Sequence, residues 1–294
     1  MIGTSSSIAE ALAAATRHLR EAGQPTPRID AEVLLAHATG RDRTWLLAHP
    51  EAGFTEGDAF RAAVDRRASG EPVAYIRGFK EWRSLRIRTD ARALIPRPET
   101  ELVVETAAAA ILARLGRHQV TVAWDVATGS GANALALALD FRRELADGRL
   151  RLVATDISTE ALALAAANLE AHGVADAVEL VEADLMAPAG EELARPDVVT
   201  ANLPYVSSAE VDARVGSLGF EPRVALDGGP DGLHVISRFL ADLPFHAAPG
   251  ATLVLELGVD QVDAVRRLAP IGASVLVVPD LAGLERVVRI DLPT

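Results

Sequence analysis

Between Ile8 and about Gly70, apolar residues recur at helical spacing: Ile8, Leu12 and Leu19, then Ile29, Val33, Leu34 and Leu35, then Leu46 and Leu47, and last Phe60 and Val64. Gly23, Gly40, Gly53 and Pro25-Thr26-Pro27 interrupt the pattern, which predicts a bundle of short helices rather than one rod. Charged positions here, Arg28, Asp30 and Glu32 and the Arg66-Arg67 pair, read as a solvated face or as contacts, with the face favoured. From about Val73 to Leu94 the pattern alternates, as at Leu85 and Ile87, and predicts a hairpin or linker.

After Ile95-Pro96-Arg97-Pro98-Glu99-Thr100 a helix is expected through about Leu115, with Glu99 and Glu101 complementing its dipole. Apolar strand candidates then follow at Val120 to Ala127, Leu150 to Thr155, Val178 to Glu182, Asp197 to Ala201, Thr252 to Leu257, Ser274 to Val278 and Arg286 to Ile290. Helical stretches at Ala132 to Leu145 and Thr159 to Ala171 separate the early strands, which predicts parallel pairing with right-handed crossovers. The last two strands are close enough in sequence to pair antiparallel. The expected fold is therefore α/β, a mostly parallel sheet with an antiparallel last strand, preceded by a small helical domain. The expected boundaries are 1–72 for the helical domain, 73–98 for the hairpin or linker and 99–294 for the α/β domain.

Composition narrows what such a chain does. Its 294 residues include 41 acidic and 29 basic side chains, a formal net charge of −12, and 49% are hydrophobic, enough for a sizeable core and two domains. The acidic balance argues against a partner gripped by neutralising many phosphates, so nucleic acid is not expected as a direct substrate. With no cysteine and seven scattered histidines, no metal is expected. The opening Met-Ile-Gly-Thr-Ser-Ser-Ser has no basic segment leading into an apolar core, and no uncharged apolar run reaches spanning length. No membrane association and a cytoplasmic location are expected.

Candidate chemistry sits at the strand ends. Asp125-Val126-Ala127-Thr128-Gly129-Ser130-Gly131 follows the first strand of the α/β region and opens a helix, where backbone donors and missing side chains let a ligand approach closely. Asp156 ends the next strand, where a carboxylate can accept from both hydroxyls of a ribose, and together these features point to an adenosine ligand. Gly129 to Ala134 also satisfies the Gly-x-Gly-x-x-Gly/Ala dinucleotide fingerprint. A pyrophosphate is anionic and disfavours nearby acids, whereas the sulfonium S-adenosylmethionine tolerates them. Asp125, Asp156 and, in Ala183-Asp184-Leu185, a third strand-end acid able to bind an adenine amino group therefore favour the sulfonium. Taken singly, Asp156 and Asp184 read equally well as helix or turn caps.

Asn202-Leu203-Pro204-Tyr205 directly follows the buried-strand pattern of residues 196–201. An Asn oxygen and the neighbouring carbonyl can each accept one hydrogen of a planar NH2 group, while an aromatic ring covers its flat face. Alone, Asn-x-Pro-Tyr is also an ordinary strand-to-turn exit. Glu99 and Glu256 either border the same cleft or satisfy backbone donors.

These loops occur together with Gly70-Glu71-Pro72-Val73-Ala74-Tyr75-Ile76, Ile-Pro-Arg-Pro-Glu-Thr at 95–100, Glu221-Pro222, Ala225-Leu226, Gly229, Asp231-Gly232-Leu233 and Asp280-Leu281-Ala282-Gly283. On these residues, over nearly its whole length, the chain resembles class I S-adenosylmethionine-dependent methyltransferases. More specifically it resembles the HemK/PrmC family, which methylates a glutamine side chain of peptide chain release factors in translation termination. The resemblance implies a Rossmann-like class I methyltransferase sheet and S-adenosyl-L-methionine as cofactor. It implies a release factor as protein partner, recognised with help from the helical N-terminal domain. It also implies cofactor binding by Asp125, Ala127, Thr128, Gly129, Ser130, Gly131, Asp156, Asp184, Leu185 and Asn202, and catalysis by Asn202, Leu203, Pro204 and Tyr205. Three positions depart from the family's usual residues: Ala127 stands for glycine, Leu185 for tryptophan and Leu203 for proline. Asn-Leu-Pro-Tyr is also the form seen in ribosomal RNA adenine dimethyltransferases, which makes an RNA adenine amino group the alternative acceptor.

Overall fold

Ser7 and Glu10 close a capping box at the start of α1 (Ile8–Glu21), each side chain satisfying a backbone N–H that the first helical turn leaves unpaired. In the computed structural model, residues 7–117, 119–188, 193–213 and 216–294 are described. They form two units, 7–79 with 216–221, and 80–213 with 222–294.

In the first unit, α1 is followed by α2 (Pro27–Thr39), α3 (Arg43–Ala48), α4 (Gly57–Ala68) and α5 (Val73–Arg77). Proline opens α2, where its missing N–H costs nothing, and Gly40 ends it at φ +64, a conformation open to glycine without strain. Ile8, Leu12, Leu19, Leu34, Leu35, Leu46, Phe60 and Val64 make the core as their spacing predicts, whereas Ile29 and Leu47 are half exposed. The favoured solvated face is overturned in part. Asp30 and Arg67 are buried and paired at 2.8 Å, and the buried Glu32 accepts from Arg28 at 2.5 Å and Arg43 at 2.6 Å. The alternating stretch also begins later than expected. Val73–Arg77 is a single helical turn held between Pro72 and Gly78 (φ +75), too short for its periodicity to register. The hairpin of β1 (Phe79–Trp82) and β2 (Leu85–Arg88) comes after it, turning at Arg83 and Ser84 with φ of 47° and 60°.

Apart from Phe79 this hairpin belongs to the second unit, which continues with α6 (Thr100–Leu115), β3 (Thr121–Val126), α7 (Ala132–Asp140), α8 (Arg142–Ala146), β4 (Leu150–Asp156), α9 (Thr159–Ala171), β5 (Val178–Asp184) and β6 (Ala187–Pro188). Then follow β7 (Val198–Ala201), α10 (Ser208–Asp212), α11 (His234–His246), β8 (Thr252–Glu256), α12 (Val262–Leu268), β9 (Ser274–Pro279) and β10 (Glu285–Asp291). The helix expected over Ala132 to Leu145 is broken at the buried Phe141, whose φ of −115° leaves the helical region.

All the long strands join one sheet in the order β6-β5-β4-β3-β7-β8-β10-β9. β5, β4, β3, β7 and β8 run parallel to their neighbours, while β10 lies antiparallel between β8 and β9, and the two-residue β6 pairs antiparallel with β5. The strand order reverses at β3: the chain goes first to β4 and β5 on one side, then to β7 and β8 on the other. Such a switch point opens a crevice beyond the carboxyl ends of the central strands, and the four candidate loops leave the sheet at that edge. One sheet face packs on α6 and α7 through Val103, Val104, Ile111, Leu135 and Leu137. The other packs on α11 through Ile236, Phe239, Leu240 and Leu243.

Candidate active site

The loop between β3 and α7 is shaped from below. Asp125, 1% exposed at the end of β3, accepts from Thr128 Oγ1 at 2.6 Å, Thr200 Oγ1 at 2.7 Å and Asn133 Nδ2 at 3.3 Å. Burial pushes its carboxyl up from the ordinary value, and these donors oppose the shift by favouring the charged form. From above, Thr128 N–H donates to the Thr155 carbonyl at 2.9 Å and Gly129 N–H to Asp156 Oδ2 at 2.8 Å. Asn168, fully buried on α9, donates to the Ser130 carbonyl at 2.8 Å and brackets Arg88 of the hairpin with its other contacts. Gly131 needs to be glycine twice over. Its φ is +77°, and an added Cβ would lie 2.9 Å from that of Ala165.

Ala127 takes φ +56 without being glycine. The left-handed region costs an L-residue about 1–2 kcal/mol, and glycine relieves that at an entropic cost of about 0.5–1 kcal/mol. Ala127→Gly is therefore expected to stabilise the protein by roughly 0.5 kcal/mol in urea denaturation. A lower midpoint would mean that the alanine methyl contributes packing that exceeds its backbone strain.

Asp156 ends β4 with its two oxygens receiving Gly129 N–H and, at 2.9 Å, Ser158 N–H. The Ile157 N–H also favours its charged form, so of about four lone-pair directions at most two remain for incoming hydroxyls. Burial pushes this carboxyl up as well. Asp184, at the end of β5, is paired at 2.7 Å with Arg238 of α11. Leu185 turns sharply with φ 58 and buries its side chain, and its carbonyl receives Thr155 Oγ1 at 3.2 Å.

Beyond β7, Asn202 and Tyr205 are joined to a carboxylate that ends β8. Glu256, 2% exposed, accepts from Thr100 Oγ1 at 2.6 Å and from the Tyr205 hydroxyl at 3.3 Å. The Asn202 amide donates to Thr100 Oγ1 at 3.4 Å, and it lies near enough to the Glu256 carboxylate to favour the charged form. Burial pushes the Glu256 carboxyl up, and Glu99 adds to the shift. Burial and the Glu256 charge push the Tyr205 phenol up too, so it stays a neutral donor. Leu203 supplies more than a carbonyl, because its side chain is 1% exposed in the core face packed on α11.

A cavity of about 260 Å³ lies over these strand ends. Ala127, Thr128, Gly129, Ser130, Asp156, Asp184, Leu185, Asn202, Leu203 and Pro204 all line it. Three other expected residues do not: Asp125 lies beneath the loop, Gly131 packs on α9, and Tyr205 borders a smaller neighbouring cavity with Arg97, Glu99, Glu256 and Arg286. Four residues missed by sequence reasoning belong to the surroundings of the site: Asn133, Asn168, Thr100 and Arg238. The two asparagines carried a signal, since each is a polar residue set among alanines and leucines on a buried helix face. Among the described residues, no group of three or more His, Asp or Glu is arranged to hold a metal ion. No described helix is long and apolar enough to cross a membrane.

Residues 10–78 match the family model described as the PrmC N-terminal domain. The release factor glutamine methyltransferase of Moorella thermoacetica is 40% identical over 285 residues, covering 95% of this chain and 96% of that protein. The chain belongs to the release factor glutamine methyltransferase family. The family's enzyme in Koribacter versatilis is 36% identical over 293 residues, covering 98% and 99% of the two chains. At the level of fold, the crystal structure of a methyltransferase from Pyrococcus furiosus superposes with a TM-score of 0.50 at 17% identity, over 80% of this chain and 98% of that one. The sheet of this release factor glutamine methyltransferase family member is thus the Rossmann-like methyltransferase sheet, with one antiparallel strand, β10, in its β8-β10-β9 edge.

Proposed function

We propose that this chain transfers a methyl group from S-adenosylmethionine to the side-chain amide nitrogen of a glutamine in a peptide chain release factor. The observation that carries the reading is the orientation of Asn202 at the cavity wall. Its NH2 group donates to Thr100 on the side of the Glu256 carboxylate, which leaves Oδ1 as an acceptor for an incoming NH2 group.

The residues present fit the cofactor. Asp156 has acceptor capacity for the ribose hydroxyls, and Asp184 and Leu185 suit the adenine. Asn133 lines the cavity with a buried Oδ1 that has no hydrogen-bond partner among the described residues, an acceptor suited to the ammonium of the methionine portion. Asp125 supports the site indirectly, by holding Thr128 and Asn133 in place. When bound, S-adenosylmethionine supplies a methyl group already activated by its sulfonium.

The task left to the protein is the nucleophile, a carboxamide nitrogen whose lone pair is delocalised. Asn202 Oδ1 and the Leu203 carbonyl accept its two hydrogens, aim the nitrogen and favour the positive charge that grows on it, and one of these hydrogens then leaves as a proton to solvent to give the neutral N-methyl amide. Pro204 stiffens the loop. Tyr205, which borders the neighbouring smaller cavity, is tethered through its hydroxyl to Glu256 and holds the loop from that side. The helical unit contributes to recognition of the release factor, and the location that follows from such a substrate is the cytoplasm. Similarity to release factor glutamine methyltransferases over nearly the full chain supports a protein amide over an RNA base.

Tritiated methyl transfer tests this reading. Label is expected in purified release factor, not in the factor with its acceptor glutamine replaced, and not in ribosomal RNA. Label in RNA alone overturns it.

A further inference from the structure

We propose that Glu256 is a positioning residue for methyl transfer: its buried carboxylate, acting with Thr100, fixes which end of the Asn202 amide faces the acceptor. The inference rests on the function proposed above and assigns a role to a residue outside the Asn-Leu-Pro-Tyr loop. An asparagine amide is nearly symmetric in shape but not in chemistry, since one end accepts and the other donates. If Asn202 turned over, it would present N–H groups to an amine-bearing acceptor, and two donors would oppose each other. Nothing within Asn202 prevents that flip.

Glu256 does prevent it. An ionised carboxylate has only acceptors, and it already receives Thr100 Oγ1 at 2.6 Å and the Tyr205 hydroxyl at 3.3 Å. Because the Thr100 hydroxyl donates to Glu256, its own lone pair faces Asn202 Nδ2 at 3.4 Å. Both groups behind Asn202 therefore require its NH2, and Oδ1 is left for the cavity. The same carboxylate holds Tyr205 by its hydroxyl, so one buried charge orients both polar side chains of the loop. Glu256 ends β8 and Asn202 follows the adjacent β7, so the sheet itself sets their separation.

This arrangement works only while Glu256 is ionised. Protonated, it becomes a donor, and the flipped Asn202 is then the better partner. The charged and titratable groups around it are Tyr205, which stays neutral, Glu99, which raises the carboxyl further, and Arg97 and Arg286, which line the same small cavity. Burial is the largest influence and also raises it, so the ionised form is lost at a pH above the ordinary value of 4.5. Turnover should accordingly fall on the acid side while cofactor binding does not.

The test measures kcat, KM for the release factor and S-adenosylmethionine affinity by calorimetry for the full-length native enzyme, Glu256→Gln, Glu256→Asp and Thr100→Val, each across pH. The native kcat is expected to show an acid limb above the ordinary glutamate range. Glu256→Gln is expected to lose about 10-fold or more in kcat and to lose that limb, with cofactor affinity within about 3-fold of native. Glu256→Asp should regain part of the rate and the limb, and Thr100→Val should lose rate but keep the limb. A native profile without the limb overturns the proposal, as does native-like kcat in Glu256→Gln, or a rate loss matched by loss of cofactor affinity. Asn202→Ala is assayed alongside. If it turns over normally, the acceptor reading of the loop has failed; if it is inactive while Glu256→Gln is native-like, the Glu256 role alone has failed.

Discussion

Asn202→Ala is expected to lower kcat about 100- to 1,000-fold while leaving S-adenosylmethionine affinity close to native. Removing one hydrogen bond that strengthens as charge develops costs roughly 2.7–4 kcal/mol in oxyanion holes, and an amide nitrogen that becomes cationic makes the comparable demand with the sign of charge reversed. The loss should fall on kcat rather than on KM, because the Asn202 acceptor matters most once the nitrogen bears charge. Fold should be retained. Asn202 is only partly buried, and its removal leaves Glu256 with Thr100 and Tyr205 as donors. Stopped-time methyl transfer to release factor, with calorimetry on the same preparation, separates the outcomes. Turnover within a few-fold of native would remove Asn202 from the mechanism.

Asp125→Ala is expected to be the most destabilising single change at the site, costing about 2–4 kcal/mol, because the hydroxyls of Thr128 and Thr200 and the amide of Asn133 lose their shared acceptor in a buried place. The carboxylate is itself costly to bury, which offsets part of that loss. Asp125→Asn shows the difference. It keeps an acceptor oxygen for Thr200 and Asn133, the Thr128 hydroxyl can turn to accept from its NH2, and no charge is desolvated, so a loss of about 1 kcal/mol or less is expected.

The pH dependence separates the two forms further. Because burial raises the folded-state carboxyl above its ordinary 3.8, the folded protein holds the Asp125 proton more tightly than the unfolded chain does. Its contribution to stability therefore falls as pH rises from 3.8 towards the folded value, opposite to a salt-bridged carboxylate. Asp125→Asn should remove that part of the slope in urea midpoints measured across acid pH. An unchanged slope would show that Asp125 does not carry this pH dependence, and an Asp125→Ala protein as stable as native would show that the loop is held by its backbone bonds alone.

Much of this molecule is local and therefore legible in the chain. A parallel sheet buried on both faces writes its strands as short apolar runs, and each of the seven strand candidates lies within about two residues of an observed strand. The glycine loop, the acid at the end of β4 and the Asn-Leu-Pro-Tyr exit are legible for a related reason: strand-to-loop junctions impose residue types within a few positions of each other. Gly131 needs its backbone freedom whatever lies elsewhere in the chain.

Pairings across long sequence distances were not legible, because nothing local reports them. Asp30 and Arg67 have the composition of a solvated face and become a buried pair only when α2 and α4 pack. The hydrophobic pattern places β9 and β10 side by side but does not say that β10 inserts next to β8. Asp125 looks like a cofactor ligand when read along the chain. In three dimensions its oxygens are taken by Thr128, by Asn133 on α7 and by Thr200 on the neighbouring strand, so it acts as the support beneath the loop.

By itself, then, the sequence determined the order of the main elements, the α/β class, the family and the loops that line the cavity, since periodicity, turn residues and short motifs are properties of neighbouring positions. The tertiary structure alone decided which of those residues face the cavity, and which end of Asn202 does so. Glu256 lies 156 residues from Thr100 and 51 from Tyr205, and it meets both only because the sheet sets β8 beside β7 beneath the start of α6. Hydrogen-bond direction depends on such distant partners, and a one-dimensional pattern does not contain them.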